Sequence, residues 1–215
     1  MFDAAHHGWA EDEFTFPAAG NFPYSSSAFE GTISFWLQGD PDVDLDPLMP
    51  VDPFHVSRGG AGDGSFYLDL TKHNDARYGS PRKLRFGFYN DVPPGMDPSR
   101  GNPVTLDGIG HLLVVGELNW DDRQWHHVLA TFKQANSGAA DGSAAVFVDG
   151  RRRAWSEGYQ HSVTWPSEEL GKMTIGLGQR YAGKLSELLI LDRALREDEI
   201  AQLAQMQAPL RPSAL

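Results

Sequence analysis

The chain contains no cysteine among its 215 residues. This excludes a disulfide framework, a thiolate metal site and a cysteine nucleophile. Basic residues are also few, because 18 lysines and arginines stand against 29 aspartates and glutamates, which gives a formal net charge of −11. A charge of this size repels nucleic-acid phosphates and anionic membrane surfaces, so we expect no nucleic-acid partner.

Long apolar stretches are missing as well. No run of the sequence approaches the ~20 apolar residues that a membrane-spanning helix needs, so membrane insertion is not expected. Residues 1–10 lack the apolar region of a secretory signal peptide. The protein is therefore expected to be either cytoplasmic or a module whose signal lies outside this sequence.

The residues that are abundant are those of a sheet protein with many turns. Six Trp, six Tyr and twelve Phe accompany 23 Gly and 14 Pro. Ile33, Phe35 and Leu37 alternate along one segment, as on one face of a strand. About ten to fourteen short strands without a long helix predict a two-sheet sandwich. The length fits one domain over residues 1–215, of which residues 209–215 are a tail or linker.

Four segments follow one another in a fixed order between residues 124 and 203. Trp125 to Phe132 predicts a buried strand, and Ala144 to Gly150 predicts a second strand closed by an Asp-Gly turn. Met173 to Leu177 and then Lys184 to Leu191 predict two more strands. A short amphipathic helix follows, with three acidic residues in its first turn that complement the helix dipole.

This order, with the earlier segment Glu30 to Leu37, resembles the LamG-like (laminin G-like, pentraxin-like) jelly-roll domains of the concanavalin A-like lectin/glucanase superfamily. The resemblance implies an all-β fold, a two-sheet antiparallel jelly-roll sandwich with a short C-terminal helix. It also implies an extracellular or cell-surface location. The superfamily includes lectins, adhesion modules, glycosidases and modules without known activity, so function has to be argued from sites.

The carboxylates of a superfamily glucanase are missing from the strands. A laminarinase-type enzyme carries two glutamates around an aspartate at strand spacing, so that the carboxylates enter one cleft. The acidic runs Glu11 to Glu13 and Glu197 to Glu199 are contiguous instead. The sequence therefore predicts no β-glucan hydrolysis by this route.

A polysaccharide lyase remains an alternative. Its chemistry needs a Tyr or His base and a cationic or amide group that neutralises a uronate. Tyr67, His73, Arg85 and Tyr89 could supply these groups if they converge on one sheet face. His126 and His127 lie within a predicted strand, where at least one is expected to be structural.

Calcium is a cofactor for which the sequence offers possible ligands. Asp40, Asp42, Asp44 and Asp46 place four carboxylates at alternating positions of one loop, and calcium prefers oxygen ligands. The alternative is a solvated acidic loop. Many members of the family hold a structural calcium through an aspartate in the last long strand, but Ser186 occupies that position here.

Aromatic residues beyond the Asp-Gly turn suggest a ligand-binding rim. Trp155, Tyr159, His161 and Trp165 fall within eleven residues and are expected at strand ends or in loops. The alternative for each is a place in the core. Arg151 to Arg153 is either a solvated strand edge or an anion-binding patch.

Three functions follow from these patterns. The first is a noncatalytic binding module of a larger secreted or surface protein, which recognises a glycan or a protein partner through edge loops. The others are a glycoside hydrolase or lyase with an unrecognised site, and a structural unit that self-associates. For the core we predict burial of seven side chains: Trp36, Trp125, Phe132, Val146, Val148, Leu188 and Ile190.

Overall fold

The computed structural model describes eleven β-strands and one α-helix. The residues it describes are 14–40, 51–57, 64–70, 83–88, 112–118, 120, 123–163, 165, 167, 170–179, 181 and 183–206. The elements are β1 Phe14–Pro17, β2 Phe29–Gln38, β3 Val51–Ser57, β4 Gly64–Leu70, β5 Lys83–Phe88, β6 Leu112–Glu117, β7 Trp125–Ala135, β8 Gly142–Val148, β9 Arg151–Tyr159, β10 Thr174–Gln179, β11 Lys184–Leu191 and α1 Glu197–Gln205.

The strands form two antiparallel sheets. The six-stranded sheet has the order β1-β10-β3-β4-β5-β6, and the five-stranded sheet has the order β11-β2-β7-β8-β9. The sheets pack face to face around one large apolar core. The predicted all-β jelly-roll sandwich with a short C-terminal helix is confirmed.

Alternation along β2 explains how the five-stranded sheet meets the core. Ile33, Phe35 and Leu37 are fully buried between the sheets. The side chains between them, Ser34 and Trp36, lie on the outer face because neighbouring residues of a strand point to opposite sides. They are buried too, which shows that this outer face is covered along β2.

The predicted core is confirmed in part. Phe132, Val146 and Val148 are buried between the sheets, and Trp36 is buried on the outer face. Three residues of the predicted set are only half-buried. Leu188 and Ile190 lie on β11, which is an edge strand of its sheet, and Trp125 is the first residue of β7.

The turn between β8 and β9 is the predicted Asp-Gly turn. Asp149 and Gly150 both have positive φ, at 51° and 73°, as a two-residue hairpin with right-handed strand twist requires. The helix α1 packs against this turn, because a Cβ atom added at Gly150 would lie 3.0 Å from Cβ of Ala204.

The C-terminal helix covers part of the outer face of the five-stranded sheet. Leu195 and Ile200 form a small buried cluster with Leu129 of β7 and Phe147 of β8, and Leu191 packs against it. The helix therefore covers one end of the apolar strand β11. Its acidic first turn is confirmed. Met206, which follows the helix, is exposed.

Two sets of hydrogen bonds hold the helix in place. Oγ1 of Thr32 donates to the carbonyl oxygen of Arg193, at 2.8 Å, and accepts from the backbone N–H of Leu195, at 3.0 Å. Glu199 accepts from the backbone N–H of Arg196 at 2.9 Å and binds the guanidinium of Arg193 through both carboxylate oxygens. The turn before the helix is thereby tied to β2 and to the helix itself.

Candidate functional site

The predicted aromatic rim is divided between the surface and the core. Trp155 lies inside β9 rather than in a loop, and 59% of its surface is exposed. His161 and Trp165 are buried. The side chain of Tyr159 lies outside the described residues. A role of these residues in ligand binding stays a prediction, for which Trp155 offers an accessible ring.

Trp165 is part of the packing between the sheets. Its ring stacks on Tyr24 with centroids 4.2 Å apart and planes 15° from parallel, and it also contacts Phe22 and Phe66. Its backbone N–H donates to the Tyr24 hydroxyl at 2.9 Å. Trp165 is therefore a core residue, which was the alternative stated for each member of the aromatic rim.

His161 belongs to a segment that is hydrogen-bonded to Asn136, the residue that follows β7. Its carbonyl oxygen accepts a hydrogen bond from the backbone N–H of Asn136 at 2.8 Å. The Asn136 amide group in turn bonds both backbone groups of Val163. Burial lowers the pKa of His161 to about 4, although Asp141 opposes the shift. The ring is therefore neutral near pH 7.

A β-bulge brings Trp155 and Arg152 to the same face of the five-stranded sheet. Trp155 lies opposite Ala145, and Arg152 lies opposite Phe147, with a register shift between Val146 and Phe147. Residues three apart on a regular strand would point to opposite faces, so the bulge re-aims one of them. The guanidinium carbon of Arg152 lies 4.4 Å from the centroid of the Trp155 ring, in cation–π contact.

The helix contributes an acidic side chain next to Arg152. Nη1 of Arg152 lies 2.9 Å from Oε1 of Glu197, the first residue of α1. Arg152, Trp155 and Glu197 are called the Trp155 surface below. Sequence alternation could not predict it, because the bulge sets the two β9 side chains side by side.

A second polar group lies on the outer face of the six-stranded sheet. His55 pairs with Tyr67, and Asp69 pairs with Arg85, while Phe54, Phe66, Leu68, Leu84 and Phe86 of the same strands fill the core. Tyr67 and Arg85, two of the four residues predicted for a lyase, therefore share one face. His73 and Tyr89 lie outside the described residues. His55 was not predicted, although its place between Phe54 and Val56 indicates this face.

The Asp69–Arg85 pair is almost entirely buried, at 4% and 3% exposure. Nε of Arg85 donates to Oδ1 of Asp69 at 2.6 Å, and Nη2 binds Oδ2. Burial acts to lower the pKa of Arg85, but the charge and hydrogen bonds of Asp69 outweigh it and raise the pKa. Because the pair is bidentate, the guanidinium stays charged and fixed in orientation.

The adjacent histidines of β7 are structural, as expected for at least one of them. Nε2 of His127 is 2.8 Å from Oγ of Ser34 on the neighbouring strand. Nδ1 of His126 donates to Oδ2 of Asp149 at 2.9 Å, and the backbone N–H of His127 donates to Oδ1 at 3.0 Å. Burial acts to raise the pKa of Asp149, but these hydrogen bonds lower it overall.

The predicted calcium loop lies almost wholly outside the described residues, which include Asp40 but not Asp42, Asp44 or Asp46. Within the described ranges, no three His, Cys, Asp or Glu side chains form a group that could hold a metal ion. Ser186 lies opposite Trp36 in the sheet. A hydroxyl group brings no charge, so the residues at this position do not fit the calcium site that the resemblance implies.

Two solved structures that superpose with a TM-score above 0.5 agree with the fold. A CBM40 domain of a Ruminococcus gnavus sialidase, described as bound to α2,3 sialyllactose, superposes with a TM-score of 0.51 at 13% identity, over 83% of this chain and 84% of that one. The binding domain of botulinum neurotoxin serotype G gives 0.51 at 11% identity, over 92% of this chain and 41% of that one. A heptameric pentraxin from Limulus polyphemus gives 0.47 at 16% identity, over 83% and 73%.

The sequence comparisons identify the family. No curated protein matches the chain. Among the helical residues that the structure describes, none form a helix long and apolar enough to cross a membrane. The family model Laminin_G_3 matches residues 10–201, which is most of the chain. The chain therefore belongs to this family of the concanavalin A-like lectin/glucanases superfamily.

Proposed function

We propose that this domain is a noncatalytic glycan-binding module of a larger secreted or surface protein. The observation that carries the proposal is Trp155, a large aromatic side chain that is mostly exposed although it lies within a paired strand. Indole rings bury a large area when they bind, and they stack well on apolar faces of ligands. An exposed ring on a rigid strand thus gives a ready contact for the C–H face of a sugar.

The ring is also held in place before a ligand arrives. β9 is hydrogen-bonded to β8, and Arg152 lies against the indole. Fixing a side chain in advance reduces the entropy that binding would cost. The CBM40 relative, which is described as bound to a sialylated sugar, supports the proposal only through the shared fold.

The test is a glycan array probed with the parent domain, a Trp155→Ala variant and a Phe14→Ala control. Phe14 is a similarly exposed aromatic residue on the edge strand of the other sheet. We expect the parent and the Phe14 variant to bind the same glycans, and the Trp155 variant to lose most of the signal. Absence of glycan binding by the parent, or binding that survives Trp155→Ala, would contradict the proposal. In the first case, a protein partner or self-association becomes the better interpretation.

A lyase is the second candidate, favoured by the shared face of His55, Tyr67 and Arg85. In a β-elimination, a base takes the proton from C5 of a uronate, C4=C5 forms, and the C4–O4 bond breaks as O4 takes up a proton. Tyr67 or His55 could act as the base. The bidentate bond of Arg85 to Asp69 speaks against this function, because the guanidinium already has a carboxylate partner.

Activity assays separate the two functions. A lyase would produce unsaturated uronates from polyuronate chains, detected by their ultraviolet absorbance, and either Tyr67→Phe or His55→Gln would stop it, according to which residue is the base. We expect no such product, and no hydrolysis of laminarin or lichenan above a no-enzyme control. Turnover that a single substitution abolishes would establish an enzyme and remove the noncatalytic assignment.

A further inference from the structure

The ion pair at the Trp155 surface is open to exchange. Arg152 and Glu197 are exposed, at 43% and 66% of their side-chain surface, and they meet through one contact of 2.9 Å. Exposed pairs of this kind hold weakly because both groups are still solvated. A ligand that offers Arg152 a second hydrogen bond could therefore take the place of Glu197.

The charge of the surroundings limits what that ligand can be. Arg151 is exposed on the same strand, whereas Cβ of Arg153 lies against Gly116 of β6. Asp149, Glu157 and Glu197 are acids near these arginines in the chain or in the structure. The local charges thus balance, and the whole chain carries −11. A polyanion would be repelled. A ligand with a single negative group would be repelled only weakly, because salt screens the more distant charges.

Arg152 and Trp155 together match a sugar acid. The planar guanidinium forms a fork whose geometry fits a carboxylate, and it lies over the Trp155 ring, so the sugar would contact the part of the indole that the guanidinium leaves exposed. We propose, on the basis of the glycan-binding function above, that the Trp155 surface selects sugars that carry one carboxylate. In this arrangement the sugar ring contacts Trp155, and Arg152 binds the carboxylate in place of Glu197.

The experiment compares an oligosaccharide that carries one terminal uronic acid with its methyl ester, which differs only in the charged group. Dissociation constants are measured by calorimetry for the full chain. We expect the acid to bind on the order of tenfold more tightly than the ester, as the loss of a charge-assisted hydrogen bond implies. Arg152→Gln should bring the two constants together, and Arg152→Lys should recover only part of the difference.

Glu197→Gln tests the exchange itself. It removes the competing carboxylate, so the acid should bind a few-fold more tightly while the affinity for the ester stays unchanged. Trp155→Ala should weaken both ligands, and Phe14→Ala neither. Circular dichroism and melting curves establish that each variant is folded.

The outcomes separate this inference from the proposed function. Equal binding of acid and ester, both lost in Trp155→Ala, would leave a glycan-binding module and refute the selectivity. Tighter binding of a sulfated polyanion such as a heparin fragment would also refute it, since the negative net charge disfavours such a ligand. Absence of binding to either sugar and to the array would remove both proposals.

Discussion

At the scale of single residues, the domain buries two neutral histidines. His127 is buried beside Ser34 and Trp36 on the outer face of its sheet, and His161 is buried after β9. Burial lowers the pKa of each from 6.5 to about 4, with Asp149 opposing the shift at His127 and Asp141 opposing it at His161. Both side chains therefore favour the folded state only while they are uncharged.

The stability of the domain should fall as the solution becomes acidic. Because the folded-state pKa of each histidine is depressed, the unfolded chain binds protons first. The stabilisation is present above pH 6.5 and is lost as the pH falls towards 4. The loss amounts to roughly 2–3 kcal/mol per histidine. Melting temperatures measured from pH 7.5 to pH 4 should show it.

A His127→Gln variant provides the control for this prediction. Glutamine does not titrate, so the variant should start less stable than the parent and lose less stability over the same pH range. Parallel curves for the two proteins would show that His127 does not cause the acid sensitivity.

At the scale of elements, the β8–β9 turn and the helix α1 depend on each other. Gly150 has a positive φ and lies against Ala201 and Ala204 of the helix. Gly138 also has a positive φ, of 78°, but a Cβ atom there would meet nothing within 4 Å. Substitutions at the two glycines therefore distinguish the cost of backbone strain from the cost of displacing the helix.

We expect Gly138→Ala to lower the free energy of unfolding by about 1–2 kcal/mol, the cost of left-handed backbone for a residue with Cβ. Gly150→Ala should cost a further 1–3 kcal/mol or so, because the methyl group would also displace the helix. Urea denaturation of both variants measures the difference. Similar losses would show that the helix contact contributes nothing.

The elements differ in how well their sequences predict them. The Asp149-Gly150 turn and the acidic start of α1 depend on local preferences, so the sequence predicts both. The bulge between Val146 and Phe147 has no such signal. It decides that Arg152 and Trp155 share a face, and the site that they form therefore could not be predicted. The burial of Trp165 could not be decided from the local sequence either, because its contact with Tyr24 links residues far apart in the chain.

At the scale of the whole molecule, the two-sheet sandwich follows from alternation and strand number, but the order of strands does not. Leu188 and Ile190 have the apolar pattern of a central strand, yet β11 lies at the edge of its sheet, which leaves them half-buried. Which strand becomes an edge depends on pairings across the whole chain. Single-sequence patterns do not contain that information.

Calcium binding would stabilise the molecule as a whole. If calcium binds, we expect it in the Asp40 to Asp46 loop, because the carboxylates supply charge that Ser186 does not. A site at 100 times its dissociation constant would add about 2.7 kcal/mol to the free energy of unfolding. Thermal denaturation with calcium and with EDTA measures this, for the parent and an Asp42→Ala, Asp44→Ala double variant. A shift that persists in the double variant would place the ion elsewhere.

The pairing of early with late strands governs how the chain can fold during synthesis. β1 pairs with β10, and β2 pairs with β11, so each sheet needs a strand from the last fifth of the described chain. A ribosome adds about 5–20 residues per second, so β2 waits on the order of ten seconds or more for β11, although its other neighbour β7 is made earlier. During that time the edge of β2 that faces β11 in the folded sheet has no strand partner, and an unpaired strand edge can pair with other chains.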